Sequence, residues 1–394
     1  MSVKKYILTL LSILVVINLI VILCFKKNNK EESINVYSWG EFISGGADGL
    51  IDVNKKFTEE TGIKVNYKTF QNNEELFAKL SSGGSDYDVI IPSDYMVSKL
   101  IEHNMLEKID FSNIPNFNLI DQNFKNLDFD PKNEYSIPYM WGMVGIFYDK
   151  NEVPEEEASS WDVLWNEKYK NKILMFDNAR DSFAISLLRL GYSVNTCDPE
   201  KLNQAAKELL KQKPLVQAYV MDQIFNKMEN HEAVLAPYYA GDAANIIKNN
   251  PSIGFIIPKS GSNRFVDSLC IPKNSAHKFQ AEKYINFMCR SDIALANVKQ
   301  TGYSTPQKET FNMLDEETRN NKIFYPDKEI IEKSQIFVNL PDEVNKQMDK
   351  LWVEVKAGGA SSNPWSLFAI LFGLFIVYVL IRIIKSKRKN TIKN

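Results

Sequence analysis

Aromatic rings and carboxylates stand close together repeatedly along this 394-residue chain. Trp39 is followed by Glu41; Ser93, Asp94 and Tyr95 are consecutive; Tyr239 precedes Asp242 in Tyr-Ala-Gly-Asp; Phe265 precedes Asp267; Asp181 and Tyr303 add one of each type. Carboxylates pair with ammonium groups, while ring faces cover methylenes and attract positive charge. Such a set suits a long, flexible organic cation.

Other chemistries find little support. His103, His231 and His277 belong to no HExxH motif, and the chain has no GxSxG, phosphate loop or matched Cys/His pair. No enzymatic activity and no cofactor are expected. Metal capture calls for a cluster of tyrosine, histidine or carboxylate without an aromatic sandwich, so no metal site is expected either. Cys24, Cys197, Cys270 and Cys289 show no CxxC spacing and read as small hydrophobes rather than a zinc site or disulfide framework. Of 47 Lys and Arg, 11 lie in residues 1–30 and 365–394, which leaves 36 against 49 Asp and Glu between them, formally −13. An acidic middle disfavours nucleic acid and draws cations, although solubility alone would also account for it.

The elements that must position these side chains alternate helix with strand. Residues 50–60 are amphipathic and stop at Gly62, and 63–67 alternate as a strand, which makes a β–α–β unit with the strand at 34–38. A helix over 72–80, a buried strand over 87–92 and a helix over 96–103 follow. In such sheets ligands lie beyond the carboxyl ends of the strands, where Trp39, Glu41, Ser93 and Tyr95 fall. A second series has a short helix at 161–165, a strand at 173–176, helices at 181–190 and 202–210, strands at 234–236, 253–257 and 268–272, and a helix at 281–289. Asp181 opens its helix, where an Asp also serves as a cap or dipole partner.

Two uncharged runs, 7–25 and 365–381, are long enough to cross a bilayer core of about 30 Å. The basic residues from Arg382 onward place the C-terminus in the cytoplasm and the domain between the runs outside. The first run reads as an uncleaved anchor, with a cleaved signal or lipidation at Cys24 as alternatives. Residues 358–364, rich in Gly and Ser, form a linker.

The segments VYSWGEFI, FTEETGIKVNY, YDVIIPSDYMVSKL, YSIPYMWG, SSWDVLWNEKYKNKILMFDNARD, FVDSLCIP and QTGYSTPQ occur in the order seen in the spermidine/putrescine-binding proteins of bacterial polyamine ABC transporters. Residues 35–358 resemble that family. The resemblance implies an α/β, two-lobed fold of the periplasmic-binding-protein type (type II), with a hinge and a cleft between the lobes, here flanked by N- and C-terminal transmembrane helices. The expected organisation is an anchor or signal segment (1–30), a first lobe (31–145 and 265–315), a second lobe (146–264 and 316–357), the linker, a transmembrane helix (365–384) and a basic cytoplasmic tail (385–394).

Carried over position by position, the resemblance implies an aromatic box of Trp39, Tyr95, Tyr239, Phe265 and Tyr303. It further implies amine-pairing carboxylates at Glu41, Asp181 and Asp267 and a hydroxyl at Ser93. Asn178 stands where the spermidine branch has Asp, and Asp242 resembles the acid of the putrescine branch, so the class of ligand is better indicated than the individual polyamine. Gln335 is a candidate for a further contact. The implied function is capture of putrescine or spermidine and delivery to permease subunits and their ATPase. A binding protein for another small solute, or a membrane-tethered polyamine sensor, is the alternative.

Overall fold

The computed structural model describes residues 13, 16, 32–40, 42–83 and 86–358. Among them nine strands run in chain order: β1 (Ser33–Trp39), β2 (Lys64–Phe70), β3 (Val89–Ile90), β4 (Ser136–Asp149), β5 (Ile173–Phe176), β6 (Val216–Val220), β7 (Leu235–Tyr239), β8 (Ile253–Ile256) and β9 (Arg264–Cys270). The helices of nine residues or more are α1 (Val53–Thr61), α2 (Asn73–Ser81), α3 (Asp94–Glu102), α4 (Ala179–Arg189), α5 (Pro199–Gln212), α6 (Lys278–Met288), α7 (Ser291–Thr301) and α8 (Asp342–Lys356).

The chain divides into two compact units, Met1–Asn151 with Tyr238–Asn339, and Glu152–Pro237 with Leu340–Asn394. The changeovers fall at 151/152, 237/238 and 339/340, where the sequence reading put them at 145/146, 264/265 and 315/316. β8, which that reading gave to the second lobe, pairs antiparallel with β4, as β9 does, and both fall in the first unit.

In the first unit β1 pairs in parallel with β2 and β3, and β9 joins β3 to β4 in antiparallel fashion. Local sequence explains the ends of its helices. Asp52 accepts a hydrogen bond from the Lys55 N–H and so starts α1 three residues later than the amphipathic pattern suggested, and Gly62 ends it at φ +74°. Ile34, Val36, Val89, Ile91, Leu269, Ile271, Tyr284 and Ile285 are fully buried in one core. Fourteen-residue β4 escaped the sequence reading because Pro138, Gly142 and Gly145 interrupt its pattern, yet every one of its residues is buried.

In the second unit β5 pairs in parallel with both β6 and β7. Asp198 caps α5, which begins at Pro199, and the buried Leu202, Ala205 and Leu209 form its inner face. Trp352 of α8 sits edge-on to Tyr219 of β6, with 5.2 Å between ring centres.

The terminal runs 7–25 and 365–381 lie outside the described residues except for 13 and 16. Among the described residues no helix is long and apolar enough to cross a membrane. The longest, α5 and α8, have 14 and 15 residues and carry Lys and Glu along their length, short of the roughly 20 apolar residues a span requires. The transmembrane part of the expected fold is thus not supported, nor are membrane anchoring and a cytoplasmic C-terminus. Cys270 and Cys289 are buried as expected, whereas Cys197 is exposed.

Candidate ligand-binding site

Strand alternation builds the centre of the site in the first unit. Along β9, Phe265 and Asp267 share one face while Val266 between them is fully buried on the other. Phe265 lies opposite Gly142 of β4, and a Cβ at Gly142 would come within 2.7 Å of the Phe265 ring. The missing side chain is what admits the ring.

Asp267 is 4% exposed, and its Oδ1 accepts a 2.6 Å hydrogen bond from the Ser93 hydroxyl. Ser93 stands immediately after the β3–Pro92 segment as N-cap of α3, yet its side chain makes no cap bond. Burial pushes the Asp267 carboxyl up to about 7, and the Ser93 hydroxyl pulls it back only in part. Among the described residues Asp267 has a hydroxyl partner and no cation within ion-pair distance.

Aromatic rings surround this strand face. Phe265 meets Tyr239 edge-on at 5.5 Å and Tyr303 at 6.0 Å between ring centres, and Tyr303 meets Phe42 at 5.1 Å. The Tyr303 hydroxyl donates to Asp242 Oδ2 at 2.9 Å. Burial and the Asp242 charge hold its phenol well above the usual range, so it remains a neutral donor. Its ring packs closely on backbone: a Cβ on Gly241 would be 2.3 Å from it, and a Cβ on Gly302, whose φ is +77°, would be 2.4 Å from the Gly241 carbonyl oxygen. Tyr303 and Gly302 also border a cavity of about 380 Å³ walled by Leu50, Val298, Leu314, Phe324 and Tyr325.

Trp39 ends β1, in register with Phe70 of β2 and 4.7 Å from its ring. Among the described residues its buried indole N–H has no acceptor. Trp39 and Tyr303 pack on the same core as Phe42 and Tyr139. Tyr95, in the first turn of α3, donates its hydroxyl to Glu74 Oε1 at 3.0 Å and turns its ring edge toward Phe337. Glu41 lies outside the described residues. Gln335 runs beside Asn263, just before β9, and lies in the first unit, whereas the expected organisation had it in the second lobe.

In the second unit, Asn178 and Asp181 cap α4 reciprocally. Asn178 Oδ1 accepts from the Asp181 N–H, and Asn178 Nδ2 donates to Asp181 Oδ2, both at 2.8 Å. Asn178 is the N-cap, and Asp181, a first-turn residue 8% exposed, accepts from its side chain. The structure therefore brings together Ser93 with Asp267, and Tyr239 and Phe265 with Tyr303 and Asp242. It places Asn178 and Asp181 together in the other unit.

Asp94 has no role legible in the sequence alone. Asp94 is fully buried and accepts from the N–H groups of Tyr95, at 2.7 Å, and Val266, at 3.1 Å, which ties the first turn of α3 to β9 beside Asp267. Its position directly after an N-cap serine was the available signal.

Comparisons with known proteins show the family. A family model described as bacterial extracellular solute-binding protein matches residues 53–324. The spermidine/putrescine-binding periplasmic protein of Escherichia coli (strain K12) is 36% identical over 323 residues, covering 82% of this chain and 91% of the relative. A solved structure from Listeria monocytogenes, described as a spermidine/putrescine ABC transporter, superposes with a TM-score of 0.78 at 35% identity over 82% of this chain and 99% of its own. The substrate-binding protein PotD from Streptococcus pneumoniae gives a TM-score of 0.73 at 34% identity, over 83% and 99%.

Proposed function

Since the chain belongs to the bacterial extracellular solute-binding proteins, among relatives that are spermidine/putrescine-binding proteins, we propose that it is the extracytoplasmic component of a polyamine ABC transporter, capturing putrescine or spermidine for its permease. One observation carries this reading. Asp267 is a buried carboxylate whose partner is a hydroxyl, on the same strand face as Phe265 and beside Tyr239 and Tyr303. A buried anion without a countercharge is costly, and an ammonium group delivered by a ligand would relieve that cost.

The chemistry follows from the side chains. An ammonium group supplies the donors that Asp267 and Asp242 accept, and the rings of Phe265, Tyr239 and Tyr303 cover the methylenes beside it. Excluding water around such pairs strengthens each of them. Glu41, Asn178 and Asp181 join this set by the resemblance alone, and Trp39 and Tyr95 supply further ring surface. The relatives are transport components, and a binding role requires no reaction at any of these groups.

Calorimetric titration with putrescine, spermidine and spermine, with a divalent metal as control, tests the proposal. Saturable one-to-one binding of a polyamine supports it. A folded chain that binds none of the three overturns it.

A further inference from the structure

We infer that Glu74, on the first turn of α2, is a further ligand-pairing carboxylate, holding an ammonium group of the polyamine beside Tyr95; the inference rests on the polyamine reading above. Two glutamates open α2, and the structure gives them different work. Glu75 is engaged at both oxygens: Oε2 accepts from the Gln71 N–H at 2.9 Å and Oε1 from the Tyr37 hydroxyl at 3.2 Å. It closes the start of the helix together with Asn72, whose Oδ1 accepts from the Glu75 N–H at 2.8 Å.

Glu74 takes no part in that cap. Among the described residues its carboxylate accepts one hydrogen bond, from the Tyr95 hydroxyl 21 residues away, and the residue is exposed. The adjacent Asn73 is buried and accepts from the Ser93 N–H at 3.3 Å, so the first turn of α2 is held against the first turn of α3. Glu74 thereby meets the hydroxyl of Tyr95, which stands two residues along from Ser93, whose own hydroxyl meets Asp267. Asp267 is buried and Glu74 exposed. An amine with two or more charged groups can satisfy both, one at depth and one at the rim, whereas a monoamine can satisfy only one.

A glutamine at position 74 still accepts the Tyr95 hydroxyl but carries no charge, which separates ligand pairing from bracing of the two helices. Spermidine titration of Glu74→Gln is expected to show affinity about five- to tenfold weaker at low salt, a loss that shrinks with added salt as an exposed ion pair requires, with an unchanged melting temperature. Tyr95→Phe, which keeps the charge, is expected to hold the salt dependence of the wild-type chain. Equal spermidine affinity in Glu74→Gln and wild type overturns the inference and leaves Glu74 a brace. Absence of polyamine binding by the wild-type chain instead overturns the reading beneath it.

Discussion

Ser93 and Asp267 are 174 positions apart, yet the Ser93 hydroxyl meets Asp267 Oδ1 at 2.6 Å and an isolated antiparallel bridge joins their backbones. A serine at a helix start ordinarily turns its oxygen to its own helix. Here it orients a buried carboxylate on β9, so the group proposed to accept from an ammonium is held in place by the fold's own contacts.

The first prediction concerns Asp267→Asn. Breaking a buried charge pair costs about 3–5 kcal/mol, so polyamine affinity should fall at least about 100-fold. Stability should move the other way. The Asp267 carboxyl is raised from 3.8 to about 7 in the fold, so the folded chain holds its proton where the unfolded chain has lost it. Unliganded stability from this group therefore declines as pH rises from about 4 to about 7 and is level above. Thermal melts at pH 8 should find Asp267→Asn at or above the wild type. A mutant that binds with near-native affinity would remove Asp267 from the site.

Binding itself should depend on pH. A cation at Asp267 requires the ionised carboxylate, so affinity should level off above about pH 7 and fall by about tenfold for each unit below it. Near pH 6.5 uptake of ligand should release a proton, seen as a titration enthalpy that changes with the ionisation enthalpy of the buffer. In Ser93→Ala, which loses the hydroxyl that lowers this carboxyl, the midpoint should move to higher pH. Affinity that is flat from pH 5.5 to 8 would contradict the pairing.

A third prediction tests how the rings are placed. An alanine at Gly241 would bring its Cβ to 2.3 Å from the Tyr303 ring. The ring must shift and carry its hydroxyl from Asp242, at about 1–3 kcal/mol for overpacking. Gly241→Ala should lower both melting temperature and polyamine affinity. Tyr303→Phe, which keeps the ring in place and loses only the bond to Asp242, should lower affinity less. Wild-type values in Gly241→Ala would show that Tyr303 is not held this way.

Which of these relationships could be read from sequence depends on the range of the interaction. Trp39, Ser93 and Tyr95 follow strands with clear hydrophobic runs, so their place at strand ends was legible from periodicity. The β4 strand was not, since Pro138 and two glycines break its alternation and its burial comes from partners more than 100 residues on, at 253–270. Asp242 was legible through its motif, but its hydrogen bond to Tyr303 was not. Glu74 illustrates the limit: acids in a helix's first turn are ordinary dipole partners, and only tertiary packing distinguishes it from Glu75. The uncharged terminal runs show the opposite case, where hydropathy suggested spans that the described structure does not support.

The last prediction concerns the reciprocal cap of α4. Asn178 donates to Asp181 Oδ2 at 2.8 Å while accepting from the Asp181 N–H. Asn178→Asp keeps the acceptor and turns the donor into a second carboxylate facing the first. Two carboxylates at that separation cannot both ionise freely, so the pair should take up a proton with an apparent pKa above the ordinary carboxylate range. A group raised in the folded state is stabilising only below that value, so the mutant should melt close to the wild type at pH 4 and below it at pH 8, by about 1–2 kcal/mol. If Asp181 also takes an ammonium group, as the resemblance implies, the added anion gives that cation a second partner. Spermidine should then raise the melting temperature of Asn178→Asp at pH 8 by more than it raises the wild type's. A smaller rise in the mutant would leave Asn178 and Asp181 as a helix cap and remove both from the binding set.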